Sequence, residues 1–272
     1  MQEKMRVGML DARARKLYNL FENKTIQEMR WQKNMSHILV TGGSRGIGAA
    51  IVKRFAQAGY RVSFTYRKSL SEAEALAEQT GAFAIRADSA LLEEIAHAVR
   101  TAVEQHGGVD LLVNNAGIAS FALFSDITTE QWREMFSVNV EGAFHYIQGV
   151  LPHMIHEKAG RIINISSIWG VTGASCEVHY SAAKAALIGM TRALAKELGP
   201  SGITVNCVAP GVVDTDMNAA LTREDLAALC DETPLGRIAQ PEEIAECVYF
   251  LASPGAAFLT GQVLSPNGGI CI

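Results

Sequence analysis

The sequence contains no long apolar run. Nothing approaches the ~18 uninterrupted apolar residues that a membrane-spanning helix requires, so no membrane role is expected. Paired thiols are missing too. The five cysteines, Cys176, Cys207, Cys230, Cys247 and Cys271, are odd in number and form no CxxC. That argues against a disulfide scaffold and for free thiols in a reducing cytoplasm. The seven histidines are scattered, and only His153 and His156 have helical ligand spacing with no third ligand nearby, so no metal site is expected. Net charge is only −4, which gives no electrostatic basis for nucleic-acid binding. Proline is sparse at 7 residues, and no low-complexity linker or second domain is visible.

What remains is an ordinary globular composition, 49% hydrophobic and 19% charged, over 272 residues. This length suits one large α/β domain with a full core. Residues 1–36 differ, with eight basic side chains against four acidic ones. This segment lacks the apolar core of a secretory signal. It reads as a helical arm, or as an artefact of start-site choice, with Met35 a natural start for the domain over residues 37–272.

The domain opens with an apolar strand, His37 to Thr41, running into Gly42, Gly43, Gly46 and Gly48 and then a helix to about Ala58. A second strand follows through Tyr66. Strand, glycine-rich turn and helix in about 30 residues form a mononucleotide-binding unit. The glycines let the backbone turn tightly beside a pyrophosphate that faces the helix N-terminus. Strand and helix then alternate: GAFAIRAD to Asp88, a helix over LLEEIAHAVRTAVEQHG, the strand VDLLVNN, and one long helix Glu130–Glu157. Next come RIINIS, the helix YSAAKAALIGMTRALAKEL, GITVNCV, a helical lid from Asp214 to Cys230, a helix from Pro241 and the strand QVLS. Such alternation predicts a parallel sheet with helices on both faces.

Tyr180 and Lys184 stand four residues apart, on one face of that helix. A Lys ammonium beside a phenol favours the phenolate, so a lowered Tyr180 pKa is expected, fit for giving a proton to a carbonyl. Ser167 lies thirteen residues earlier, directly after RIINIS at the carboxyl end of that strand, where a hydroxyl polarises the same carbonyl. Taken alone, the Tyr–Lys pair fits an ordinary amphipathic helix better.

The ordered set T-G-x-x-x-G-x-G, NNAG (Asn114 to Gly117), Asn139 in SVNV, Ser167–Tyr180–Lys184, and Pro210–Gly211 followed by Thr215 resembles the short-chain dehydrogenase/reductase family over residues 37–272. The resemblance implies a Rossmann-type, doubly wound parallel sheet of about seven strands in the order 3-2-1-4-5-6-7. It implies an oxidoreductase that passes a hydride to a ketone, with Asn139, Ser167, Tyr180 and Lys184 catalytic. Tyr180 would be the proton donor, Lys184 would hold the nicotinamide ribose, and Asn139 would hold a relay water. The implied NADP(H) contacts are Gly42, Ser44, Arg45, Gly46, Ile47, Gly48, Tyr66, Arg67, Asp88, Ser89, Asn115, Ala116, Gly117, Tyr180, Lys184, Pro210, Gly211, Val213 and Thr215. The tail from Pro234 looks like the bacterial 3-oxoacyl-(acyl-carrier-protein) reductases, which points to fatty acid biosynthesis.

Cofactor choice is read from charge. The second strand ends Thr65, Tyr66, Arg67, Lys68, without the acid that bonds a 2′-hydroxyl in NAD sites. Arg45 and Arg67 therefore read as a grip on the 2′-phosphate of NADP(H), with solvated surface arginines as the alternative. The substrate side is expected at Ser167, Trp169, Glu177 and Tyr180. Two residues depart from the carrier-protein reductase pattern. Ser201 stands where a basic docking residue is common, leaving Lys158 as an anchor, and Glu177 stands where an uncharged amide is common. Glu177 is either a surface acid at a helix start or a pocket residue. The segment SSIWGVTGASCEVHYS also resembles reductases that act on a modified lysine of elongation factor P. The implied partners are thus a small or carrier-bound ketone, on acyl carrier protein or elongation factor P. A non-catalytic NADP-binding regulator is the reading from another class. Met190 and Leu194, beside Phe136, Val140 and Phe144, are expected to pair across a two-fold axis in a homotetramer, as the resemblance implies.

Overall fold

The computed structural model of the chain describes residues 36–218 and 222–271. The expectations for the N-terminal extension up to residue 35 lie outside the described residues.

Seven strands make one parallel sheet in the order β3-β2-β1-β4-β5-β6-β7. They are β1 (His37–Val40), β2 (Arg61–Tyr66), β3 (Phe83–Arg86), β4 (Leu111–Asn114), β5 (Gly160–Ile165), β6 (Ile203–Val208) and β7 (Val263–Leu264). The central strands β1, β4 and β5 are buried throughout, as a sheet covered on both faces requires. Register is continuous across them, with Val40 opposite Val113 and Val113 opposite Ile163.

Helices α1 (Gly46–Gln57), α2 (Leu70–Thr80) and α9 (Pro241–Ala252) cover one face. Their core contains Ile51, Phe55, Leu76, Ile244 and Val248 against Ile38, Val40 and Phe64. On the other face lie α3 (Leu92–His106), α5 (Gly142–Glu157) and α7 (Val178–Leu198). There Ile95, Tyr146, Met154 and Leu198 pack on Leu39, Leu112 and Val205. Strand order reverses between β1 and β4, where a doubly wound sheet opens a crevice at the strands' carboxyl ends.

The expected single helix over residues 130–157 is broken. Helix α4 (Thr129–Phe136) gives way to a π-helical turn, Ser137–Glu141, before α5 resumes. The cause is inside the turn. Asn139 Nδ2 donates to the Met135 carbonyl at 3.0 Å and to the Ile118 carbonyl at 3.0 Å, drawing a side chain into the helix ladder. The expected lid helix is likewise two pieces, a 3₁₀ turn Asp216–Asn218 and helix α8 (Arg223–Glu232), with a four-residue helix α6 (Trp169–Thr172) facing α7. Among the described residues, no helix is long and apolar enough to cross a membrane.

Candidate active site

A cleft of about 440 Å³ opens over the carboxyl ends of β1, β2 and β4. Its floor is the glycine-rich turn. A Cβ on Gly48 would strike the Gly42 carbonyl oxygen and come 2.6 Å from Asn115 Nδ2, so only glycine lets α1 start this close. Thr41 fastens the turn to the end of β4. Its Oγ1 accepts from the Asn115 and Ala116 amides at 3.0 and 2.9 Å, and Asn115 Nδ2 donates to the Thr41 and Gly42 carbonyls at 3.0 and 2.9 Å. Helix α1 has no side-chain cap, so its first amides face the cleft with no internal partner. A dinucleotide pyrophosphate fits this cradle, because amides and helix dipole both favour an anion there.

Most expected cofactor residues line the cleft: Gly42, residues 44–48, Tyr66, Arg67, Asp88, Ser89, Asn115, Ala116, Gly117 and Thr215. Pro210, Gly211 and Val213 do not. Gly211 packs on Asn267 and Val213 bridges Ala239, so this segment roots the lid. Asp216 and Met217 of the expected lid also line the wall, and so do Thr65, Lys68 and Val138, which were not expected as contacts, nor was the tie made by Thr41. The lid residues were legible from their place after Thr215. Val138 was not, because the π turn that presents it leaves no mark in the sequence.

The two arginines expected to grip a 2′-phosphate line the cleft, but each already has a carboxylate. Arg45 Nη1 lies 3.2 Å from Asp216 Oδ2, and Arg67 Nη1 lies 3.5 Å from Asp88 Oδ2. Asp88 also turns its own loop, its Oδ1 accepting from the Ala90 amide at 3.0 Å. All four side chains are partly or largely exposed, so the pairs are weak and a phosphate can displace them.

Tyr180, Lys184, Ser167 and Asn139 are all buried, with Asn139 and Lys184 behind Gly117, which lines this cleft. Tyr180 and Ala183 pack with Met135, Phe136 and Trp169, which is why a titratable pair sits so deep. The expectation of a lowered tyrosine pKa is not met. Burial pushes Tyr180 up to about 12; the Ser167 hydroxyl pulls it back through a hydrogen bond, and the Glu177 charge pushes it further up. Burial also pulls Lys184 down to about 8. Its Nζ lies 5.6 Å from the Tyr180 ring centre and donates to the Ile165 carbonyl at 2.9 Å. Desolvation therefore outweighs the pairing that spacing suggested. Ser166 is set apart from Ser167, its Oγ donating to the Lys184 carbonyl at 2.8 Å, a structural tie between β5 and α7.

Asn139 Oδ1 is buried without a partner. A Cβ on Gly117 would fall 2.6 Å from this oxygen and 3.3 Å from Lys184 Nζ. The absence of a side chain at 117 thus leaves a polar gap between an orphaned acceptor and an ammonium donor, suited to a ribose hydroxyl or a water.

Glu177 is not the surface acid of one expectation. It occupies the N-cap position of α7, makes no side-chain capping bond, and is only 7% exposed. Burial pushes its carboxyl up. Trp169 opens α6 and packs against the Tyr180 cluster, on the expected substrate side. Ser201 lies in the 3₁₀ turn after α7, and Lys158 ends α5 in a left-handed conformation, φ 50°.

The chain matches the family model described as "Enoyl-(Acyl carrier protein) reductase" over residues 42–271. It is 41% identical over 237 residues to a 3-oxoacyl-(acyl-carrier-protein) reductase of Staphylococcus aureus strain Mu50, covering 85% of this chain and 96% of that protein. A short-chain dehydrogenase/reductase from Serratia marcescens superposes with TM-score 0.81 at 40% identity, covering 86% of this chain and 97% of that one. A blue fluorescent protein from a metagenomic library, solved in complex with NADPH, superposes with TM-score 0.81 at 39% identity, covering 87% and 98%.

Proposed function

The chain belongs to the short-chain dehydrogenase/reductase family, oxidoreductases acting on CH–OH and C=O groups, and from that premise we propose an NADPH-dependent reduction of a ketone to a secondary alcohol. The observation that carries this reading is the buried Ser167–Tyr180–Lys184 group behind Gly117, which lines the glycine-floored cleft. NADPH bound in the cleft supplies the hydride. The amides of the first turn of α1 would hold its pyrophosphate, and Arg45 and Arg67, now paired with Asp216 and Asp88, would hold its 2′-phosphate.

Ser167 and Tyr180 direct their hydroxyls at one carbonyl oxygen, and Tyr180 gives up its proton as the alcohol forms. Burial keeps Tyr180 protonated until the carbonyl oxygen becomes basic enough to take the proton. Lys184 stabilises the phenolate left behind, and Asn139 Oδ1 holds the water that returns a proton through the gap beside Gly117.

The curated relative's name favours a 3-oxoacyl thioester on acyl carrier protein. The buried carboxylate of Glu177 favours a second substrate, an aminoketone such as the one on a modified lysine of elongation factor P. The test is NADPH oxidation with an acetoacetyl thioester beside an aminoketone. Turnover of either supports ketone reduction and identifies the better substrate. Tight NADPH binding with no turnover of any ketone would support a cofactor-binding regulator instead.

A further inference from the structure

Among the expected substrate-side residues Ser167, Trp169, Glu177 and Tyr180, Glu177 carries a charge that the proton-transfer scheme does not use. The segment around it is held firmly. The Ala122 amide donates to the Cys176 carbonyl at 2.9 Å, Ser120 Oγ bonds His179 Nε2 at 2.7 Å, and the Glu177 carbonyl accepts from the Ser181 amide at 2.8 Å. Cys176 is bent into a left-handed φ of 62°, unusual for a residue with a side chain, and this bend sets the direction in which Glu177 enters the helix. The carboxylate so placed is nearly covered, yet among the described residues it has neither a hydrogen-bond donor nor an ion-pair partner.

A buried carboxylate without a counter-charge is costly. Lys184 stands two turns further along α7 and is turned to the Ile165 carbonyl, so it supplies no counter-charge. A metal is a poor occupant, because no cluster of three His, Cys, Asp or Glu side chains exists among the described residues. A single carboxylate one helical turn before Tyr180, near enough for its charge to act on that hydroxyl, fits an organic ammonium.

We propose that Glu177 is a specificity-determining residue that binds an ammonium group carried by the ketone substrate, and that this contact also assists Tyr180. The proposal rests on the ketone-reductase reading and selects within it. Glu177 stands at the N-cap of α7 and Tyr180 three residues on, so both lie at the first turn of one helix. The field of the Glu177 carboxylate opposes loss of the Tyr180 proton. A bound ammonium cancels that field as it docks. A cationic substrate thus gains twice, in binding and in proton transfer, and a substrate acid is repelled.

Wild-type enzyme should prefer an amine-bearing ketone over the neutral ketone of the same length, and should reject the carboxylate-bearing one. Glu177→Gln should lower the ratio of kcat/KM for amine-bearing over neutral ketone about ten-fold, through kcat as well as KM. Each ketone is offered free and amide-linked to a short peptide, and the arm with the larger ratio tells which source the site takes. Calorimetry of butylammonium against 1-butanol on the enzyme loaded with NADP⁺ gives a readout independent of turnover. The ammonium should bind more tightly to wild type, and that advantage should vanish in E177Q. Failure of all ketones would sink the reductase reading and leave the ammonium preference to decide the role of Glu177. Equal binding of the two probes by wild type, or a changed Tm in E177Q with both ratios unchanged, would show a merely structural acid and overturn the proposal.

Discussion

Tyr180 and Lys184 have been moved by burial in opposite directions, Tyr180 up to about 12 and Lys184 down to about 8. The consequence for rate has a definite sign. Tyr180 stays protonated across the physiological range, so the group that titrates near neutrality is Lys184, whose charge favours the phenolate. The kcat/KM for ketone reduction should fall as pH rises through about 8, and a flat profile from pH 7 to 9 would contradict this. For stability the sign reverses. A Lys whose folded value is lowered costs stability while protonated, so that cost disappears between about 8 and its ordinary value near 10.5. Tyr180→Phe should keep the fold by circular dichroism and lose roughly 10²–10⁴-fold in rate, the usual worth of a positioned acid. At the outer end of the cleft, replacing Arg45 and Arg67 by Ala should reduce the preference for NADPH over NADH about ten-fold in fluorescence titrations, since two charge-assisted contacts are lost and two displaced carboxylates offset part of them. The Ser167–Tyr180–Lys184 spacing was legible because strand end and helix face are local properties. The sign of the Tyr180 shift was not, because desolvation comes from Met135, Phe136 and Trp169, residues remote in sequence.

Helices and strands were mostly legible by period and by glycine, and strand order followed from the family resemblance. The exceptions have a common physical source: elements held by side-chain bonds rather than by pattern. The π turn at Ser137–Glu141 depends on Asn139 bonding back to Met135, and its sequence has no Gly or Pro to mark it. Helix α8 is the other case. None of its residues is fully buried, and the face formed by Leu226, Leu229 and Cys230 is only partly covered, so little packing holds the helix. Its start is fixed by a reciprocal box. Thr222 Oγ1 accepts from the Asp225 amide at 3.1 Å, and Asp225 Oδ2 accepts from the Thr222 amide at 2.9 Å. Thr222→Ala should remove about 1 kcal/mol of local helix stability and leave the global Tm nearly unmoved. Hydrogen exchange should quicken in α8 alone, and KM for the ketone should rise more than kcat falls. A Tm drop of several degrees would mean that α8 is part of the cooperative core.

Over the whole molecule, apolar side chains among the described residues are uncovered on several elements, and two groups of them suit self-pairing. Of the five residues expected at a two-fold interface, only Phe144 is exposed. Met190 and Leu194 pack against the core under α5 and α7, and Phe136 and Val140 pack beside Tyr180. Each of these four is only partly buried, so part of its surface is left for a partner. Among the described residues, those uncovered include Trp132, Phe144 at 44% and Ile155 at 47% on α4 and α5, Phe250 and Phe258 at 47% and 102% toward the C-terminal end, and, elsewhere, Phe121, Leu123, Phe124 and Leu235. Exposed aromatics grouped on single elements mark interfaces more often than solvent. β7 is two residues long and ends the sheet, an edge that a second copy would cover. Two distinct self-complementary patches generate dihedral symmetry, hence the proposed homotetramer. Light scattering at micromolar protein should then give a mass near four times the 29.3 kDa chain. Phe258→Asp, on a side chain that no core contact holds, should halve this mass without unfolding the chain. Phe144→Asp should halve it by the other route, and the pair together should yield monomer. A wild-type monomer contradicts the assembly outright. A tetramer indifferent to both substitutions would mean that its interfaces lie on other faces.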